Sequence, residues 1–137
     1  MDTRNGTALR QKSIEVPGLS HASAPIPMAC RVGPVIATSG IGGKNAVTGE
    51  LPADAGAQAA NCFENLKAVL RAGGMGMGDV VKVTVYIADE AHRAAVNAPW
   101  LEHYPDPHRR PARHALVIQL RGGMLVQIEA LAVAAAA

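Results

Sequence analysis

The chain has 137 residues, 49% hydrophobic and 18% charged, and its 13 basic and 11 acidic side chains leave a formal charge of +2. That apolar content excludes a disordered chain, and the length suits one domain with a core that needs no disulfide staples. The small net charge and the 3% of aromatic residues argue against a nucleic-acid surface, which needs a basic footprint and stacking rings.

Residues 1–12 show no periodicity and read as a flexible extension, leaving a single domain over 13–137. The polar start has no apolar stretch of a secretory signal, and no run approaches the ~20 residues of a membrane span. A cytoplasmic protein is expected, with Cys30 and Cys62 as two buried thiols. Pro17, Pro25, Pro27 and Pro34 exclude a helix in the next stretch. Met28–Val32 and Val35–Ser39 are expected strands with a tight turn at Gly33-Pro34. The glycine-dense Ser39-Gly40-Ile41-Gly42-Gly43 has the wrong spacing for a dinucleotide loop and is expected to let backbone approach a ligand or another chain.

Asp54–Ala72 predicts a helix, with Ala59, Phe63, Leu66 and Leu70 on one face and Gln58, Asn61, Glu64, Asn65 and Arg71 away from it. Asp54 suits the N-cap, and Gly73-Gly74 the stop. Asp79–Asp89 predicts a strand whose Val81, Val83, Val85 and Ile87 share a face. A second helix is expected over Glu90–Tyr104, broken or kinked at Pro99.

Arg113–Leu120 and Met124–Val133 both alternate, and Arg121-Gly122-Gly123 between them predicts a hairpin. Pairing Leu120 with Met124 matches the apolar faces, His114 among them as a core histidine. That register sets Arg113 diagonally from Glu129, roughly 7–8 Å apart at the backbone. The pair reads equally as a structural ion pair or as a site. The expected order is strand, strand, helix, strand, helix, strand, strand: an α+β fold with two helices on one face of a mixed sheet. The other face would hold Arg113, Ala115, Val117, Leu125, Leu131 and Val133, apolar enough to need cover by an oligomer.

An ordered series of segments is more specific. Ile36-Ala37-Thr38-Ser39-Gly40, Thr48-Gly49-Glu50-Leu51, Glu64–Leu70, Asp79–Tyr86, Ala95-Val96-Asn97, Pro111-Ala112-Arg113 and Val126–Ala130 together resemble the RidA/YjgF family of reactive-intermediate deaminases, from about residue 14 to 133. The resemblance implies a chorismate-mutase-like fold, usually a homotrimer with sites between subunits. It implies hydrolysis of enamines and imines such as 2-aminoacrylate and its imine to a 2-keto acid and ammonia, with no cofactor. This chain is then a 2-iminobutanoate/2-iminopropanoate deaminase-like hydrolase.

By position, Arg113 matches the family's carboxylate-binding arginine, and Glu129 the acid that positions water. Ser39 and Asn97 match further site residues, with Gly40 and Met28 beside the substrate. Each has a plainer reading: Ser39 as a turn residue, Asn97 as a surface amide. The sequence departs from the family where Met28 stands for a frequent tyrosine, where Gly40-Ile41-Gly42-Gly43 replaces Gly-Gln-Ile-Pro, and at His114 and Ala115. Those departures raise two alternatives: a larger, aminomuconate-like enamine in a pocket opened by the glycines, and a ligand-binding trimer without turnover. Some relatives carry ribonuclease or translation-inhibitor labels, a weaker reading here for want of stacking aromatics. His103, His108 and His114 match no zinc spacing, so no metal is expected.

Overall fold

The computed structural model describes residues 8–136. In chain order the elements are β1 (Lys12–Ile14), β2 (Ala29–Val32), β3 (Val35–Thr38), β4 (Ile41–Gly42), α1 (Ala55–Ala72), β5 (Val80–Ile87), α2 (Asn97–His103), β6 (Ala112–Val117) and β7 (Val126–Val133). Most of the expected 1–12 extension, residues 1–7, lies outside the described residues, and Lys12 already opens β1 by pairing with Arg31.

Helix α1 forms where its stripe and caps predict. The Asp54 carboxylate accepts from the Ala57 N–H at 2.9 Å, and Gly73 closes the last turn by donating to the Val69 and Leu70 carbonyls. Ala59, Phe63, Leu66 and Leu70 are fully buried. Gln58 and Asn65, expected off the buried stripe, are buried as well. Backbone partners replace the water they lose. Gln58 Nε2 donates to Pro52 O and Gly123 O at 2.7 and 3.2 Å, while its Oε1 accepts from Leu125 N at 2.7 Å. Asn65 Nδ2 donates to Gly42 O and Lys44 O at 2.9 and 2.8 Å.

The seven strands make one mixed sheet in the order β1-β2-β3-β7-β5-β6, with β4 pairing onto β7. The expected hairpin is therefore overturned. β7 lies between β3 and β5, antiparallel to both, while β6 lies beyond β5 and parallel to it. A parallel neighbour needs a long crossover, which residues 88–111 supply. The buried positions Val126, Ile128, Ala130 and Ala132 suit a central strand. After β6 the chain crosses back beneath α1, where Gln58 fixes Gly123 and Leu125, and enters the sheet from the other side of β5.

Two smaller expectations also change. The second helix divides into a 3₁₀ stretch, Glu90–Val96, and α2 from Asn97. Pro99 sits in the first turn of α2, where its missing N–H costs least. In β5 a bulge between Val80 and Lys82 turns Val81 outward, 50% exposed, and buries Val80 instead.

Both helices pack on one side of the sheet over Val83, Val85, Ile87 and Ile128. The other side is bare and carries Val35, Leu116, Leu131 and Val133, the last three 37–40% exposed. Arg113 and Ala115, expected on that bare face, lie level with Val83 and Val85 on the covered one. No described helix is long and apolar enough to cross a membrane. Cys62 is buried, with its thiol pushed up to about 12 by that burial, whereas Cys30 is only half-buried.

Candidate active site

Arg113 stands on β6, the edge strand, and reaches back toward the start of α2. Its Nη2 donates to Asn97 Oδ1 at 2.8 Å, and its guanidinium lies 5.1 Å from the Trp100 ring centroid. Asn97 and Trp100 are one helical turn apart, so they present to the same side. Trp100 is itself fixed, edge-on to Phe63 at 6.2 Å and tilted against Tyr104 at 5.1 Å. Burial, and after it the charge of Arg93, lowers the Arg113 guanidinium below its ordinary value. It stays charged at any working pH. Asn97, Trp100, Leu101, Arg110 and Arg113 line an open recess of about 330 Å³. This half can hold an anion: a planar fork, aimed by an amide and backed by an indole.

Glu129 lies on the bare face of β7, two strands away. Register sets Thr84 between Glu129 and His114 in one cross-strand row. The Tyr86 hydroxyl donates to Glu129 Oε1 at 2.5 Å. That bond, then burial, then the carboxylate's charge raise the tyrosine above its ordinary value, so Tyr86 stays a donor. Glu129 shares a recess of about 220 Å³ with Ala37, Thr38, Lys82, Thr84, Ala130 and Leu131. The β3–β7 register, continued past Ala37↔Leu131, brings Ser39 level with Glu129, and pairing resumes one residue out of step at Ile41↔Ile128. Thr38 Oγ1 accepts the Ala130 N–H at 2.9 Å across that shift.

The expected residues thus fall into two sets. Arg113 and Asn97 are together at the sheet edge; Glu129 is on the bare face of β7, and Ser39 and Gly40 follow the end of β3, with Gly40 against the Gln127 side chain. The diagonal approach of Arg113 to Glu129 does not occur, because β6 and β7 are separated by β5 and the two side chains leave opposite faces. His114, expected in the core, is exposed on the bare face with Glu129. The Ser39 hydroxyl donates to Pro27 O at 2.7 Å and ties β3 to the chain before β2. Met28 is buried to 4% exposure, so its side chain presents nothing to a ligand from this chain, whereas Ile26 is exposed.

Two of the glycines on which the larger-substrate alternative rests already have close neighbours within the chain. A Cβ on Gly43 would lie 2.5 Å from Gln58 O, and one on Gly40 would lie 2.8 Å from the Gln127 amide. They admit α1 and the β7 side chain Gln127, which fill the space. The three histidines do not converge: His103 Nε2 lies 3.5 Å from Glu64, and no group of three metal-binding side chains occurs among the described residues. Sequence reasoning missed Trp100 and Tyr86 as site neighbours, whereas Arg110 stands with Arg109, Arg113 and His108 in a local basic cluster that reads as a solvated loop or an anion site. The signals were the one tryptophan three residues after Asn97, and a tyrosine whose position in β5 matches the face of Glu129 once β5 and β7 are paired.

A family model described as Endoribonuclease L-PSP matches residues 20–134. The 2-iminobutanoate/2-iminopropanoate deaminase of Escherichia coli K12 is 36% identical over 124 residues, covering 89% of this chain and 97% of the relative. Among solved structures, the E. coli YjgF gene product superposes with a TM-score of 0.81 at 35% identity, covering 89% of this chain and 98% of that one. E. coli TdcF with bound serine gives a TM-score of 0.82 at 32% identity, covering 90% and 99%. The match runs through both half-sites and every strand from β2 to β7, and the chain therefore belongs to the Endoribonuclease L-PSP family, the RidA/YjgF family that its ordered segments resemble.

Proposed function

We propose that the chain is a cytoplasmic hydrolytic deaminase of carboxylate-bearing imines and enamines, assembled as a homotrimer with its sites between subunits. One observation carries this reading: the anion-binding half around Arg113 and the carboxylate half around Glu129 occupy opposite faces of a single sheet. Neither half makes a reaction centre alone. A neighbouring copy that covers the bare face brings its own edge strand within reach and completes each half with the other. Named relatives deaminate 2-imino acids, and TdcF was solved with serine, a ligand that carries a carboxylate. The trimer number follows the family; the need for a partner follows the exposed Leu116, Leu131 and Val133.

In this arrangement Arg113 grips the substrate carboxylate with two parallel N–H bonds, and Asn97 and Trp100 hold the guanidinium in plane. Tyr86 occupies Glu129 Oε1, and Oε2 carries no hydrogen bond among the described residues. Oε2 accepts a proton from water as the water oxygen bonds to the imine carbon. Glu129 returns that proton to the nitrogen of the resulting carbinolamine and takes the hydroxyl proton as the C=O bond forms and the C–N bond breaks, so that ammonia and a 2-keto acid leave with one water consumed. An enamine first takes a proton on carbon to become the imine.

Phe63, Trp100 and Tyr104 are buried, and Tyr86 is committed to Glu129. Little aromatic surface is left to stack a base, which disfavours the ribonuclease reading. The test is keto-acid and ammonia release from 2-iminobutanoate made in situ by an amino-acid oxidase. Release above the buffer rate is expected; release at the buffer rate with intact, assembled protein overturns the proposal.

A further inference from the structure

Four arginines, Arg93, Arg109, Arg110 and Arg113, lie between the end of β5 and β6, and they are not equivalent. Arg93 pairs with Glu90 at 2.5 Å, and Arg109 with Asp106 at 3.8 Å. Arg110 and Arg113 are in no ion pair among the described residues, and they are the two that line the recess. The other lining residues, Asn97, Trp100 and Leu101, are neutral, so the recess carries two positive charges and no acid.

Arg110 is held still. Its Nε donates to Tyr104 O at 2.9 Å and its Nη2 to Pro105 O at 3.3 Å. Those bonds use two of five guanidinium N–H groups and leave three free. Arg113 spends one on Asn97 and keeps four. Two fixed cations that face one small space repel each other. A ligand with one carboxylate satisfies one fork; a ligand with two satisfies both.

We propose that this recess is a dianion site whose ligand is a small 2-imino or 2-oxo dicarboxylic acid, with Arg113 on one carboxylate and Arg110 on the other. Its use with imines rests on the deaminase reading; its binding of the keto acid does not. Arg110 then acts as a specificity residue that favours acidic side chains over alkyl ones.

Calorimetry on the full chain, with 2-oxoglutarate and 2-oxobutanoate as probes, reads the site directly. One extra charge-assisted pair at an open site gives 2-oxoglutarate about tenfold tighter binding. Arg110→Gln is expected to bring the ratio of the two affinities to about one, and Arg110→Lys to keep part of it. Equal affinities in the unsubstituted protein, or a ratio that Arg110→Gln leaves in place, overturn the proposal. Light scattering on each variant identifies the rival account: Arg110→Gln that breaks the assembly while the ratio persists makes Arg110 a subunit contact and sinks the dianion site. The two readings fail separately. A dicarboxylate preference that depends on Arg110, with 2-iminoglutarate and 2-iminobutanoate both hydrolysed at the buffer rate, removes the deaminase and keeps the site. Hydrolysis of both imines without preference does the reverse.

Discussion

On the covered side of the sheet, Val83, Val85, Ile87 and Ile128 are fully buried, and the polar side chains admitted there, Gln58 and Asn65, find their partners within the chain. On the bare side, Leu116, Leu131 and Val133 stand half in water beside Glu129, Tyr86, Thr84 and His114. The first surface is finished by its own chain. The second has the apolar content of an interface and the polar groups of a site, with nothing of its own to cover either. In the proposed assembly an interface and a reaction centre share the same square of sheet, so assembly and chemistry should rise and fall together.

The largest expected effect tests the division of the site between subunits. Arg113→Ala should lower kcat/KM for imine hydrolysis about 100-fold or more, since it removes the partner of a desolvated carboxylate. Glu129→Gln should be comparably impaired. Co-expressed, the two variants should regain roughly a quarter of the unsubstituted activity, because random association rebuilds that share of composite sites. No recovery in mixed assemblies would place the whole site within one chain.

Next in size is Leu131→Glu. A carboxylate forced into the covered interface should shift assembly toward smaller species by tenfold or more in dissociation constant. Light scattering at micromolar concentration reads it, and activity should fall in parallel. A stable, fully active monomer would separate the two properties that the bare face is argued to join.

Tyr86→Phe should act more gently, lowering kcat by about tenfold with KM little moved, the cost of one hydrogen bond to a charged group. Ultraviolet titration isolates the contact: Tyr86 should ionise above its ordinary pH, and Glu129→Gln should bring it back down, because the bond to Glu129 is the leading cause of its rise.

The smallest effect lies at alkaline pH. Burial holds the Cys62 thiol and the Tyr104 hydroxyl at about 12, against ordinary values of 9.0 and 10.0. The folded chain therefore keeps protons that the unfolded chain releases. Stability should be full below pH 9 and fall as pH rises toward 12. Melting temperatures across that range should show the loss, and Cys62→Ala should remove its lower part.

Much of this was legible in the sequence where a single segment carries its own signal. Helix α1 declares its face and both caps, and the ordered motifs declare the family. What failed was partnership. Alternation in 113–120 and 124–133 says which residues share a face, not which strand lies beside which. Two alternating strands with glycines between satisfy a hairpin as well as a crossover. The decision belongs to distant contacts, to Gln58 gripping Gly123 and Leu125 from α1. Val81 failed for a local reason, since a bulge costs one residue of phase and leaves no mark on the hydrophobic pattern. Gln58 and Asn65 failed because polarity predicts exposure only when no backbone partner is at hand.

The place of β7 has a consequence for how the molecule comes into being. Strands β1, β2 and β3 can pair among themselves, and β5 can pair with β6, but no strand before residue 126 joins the two groups. Until residues 126–133 arrive, the nascent chain holds two unstitched sheets, each with one long edge of unpaired N–H and carbonyl groups. Those edges are matched to the same late-coming strand and so to the equivalent strand of any other copy nearby. Such a chain closes in one late, long-range step, and a crowded polysome would be the setting in which copies exchange that strand.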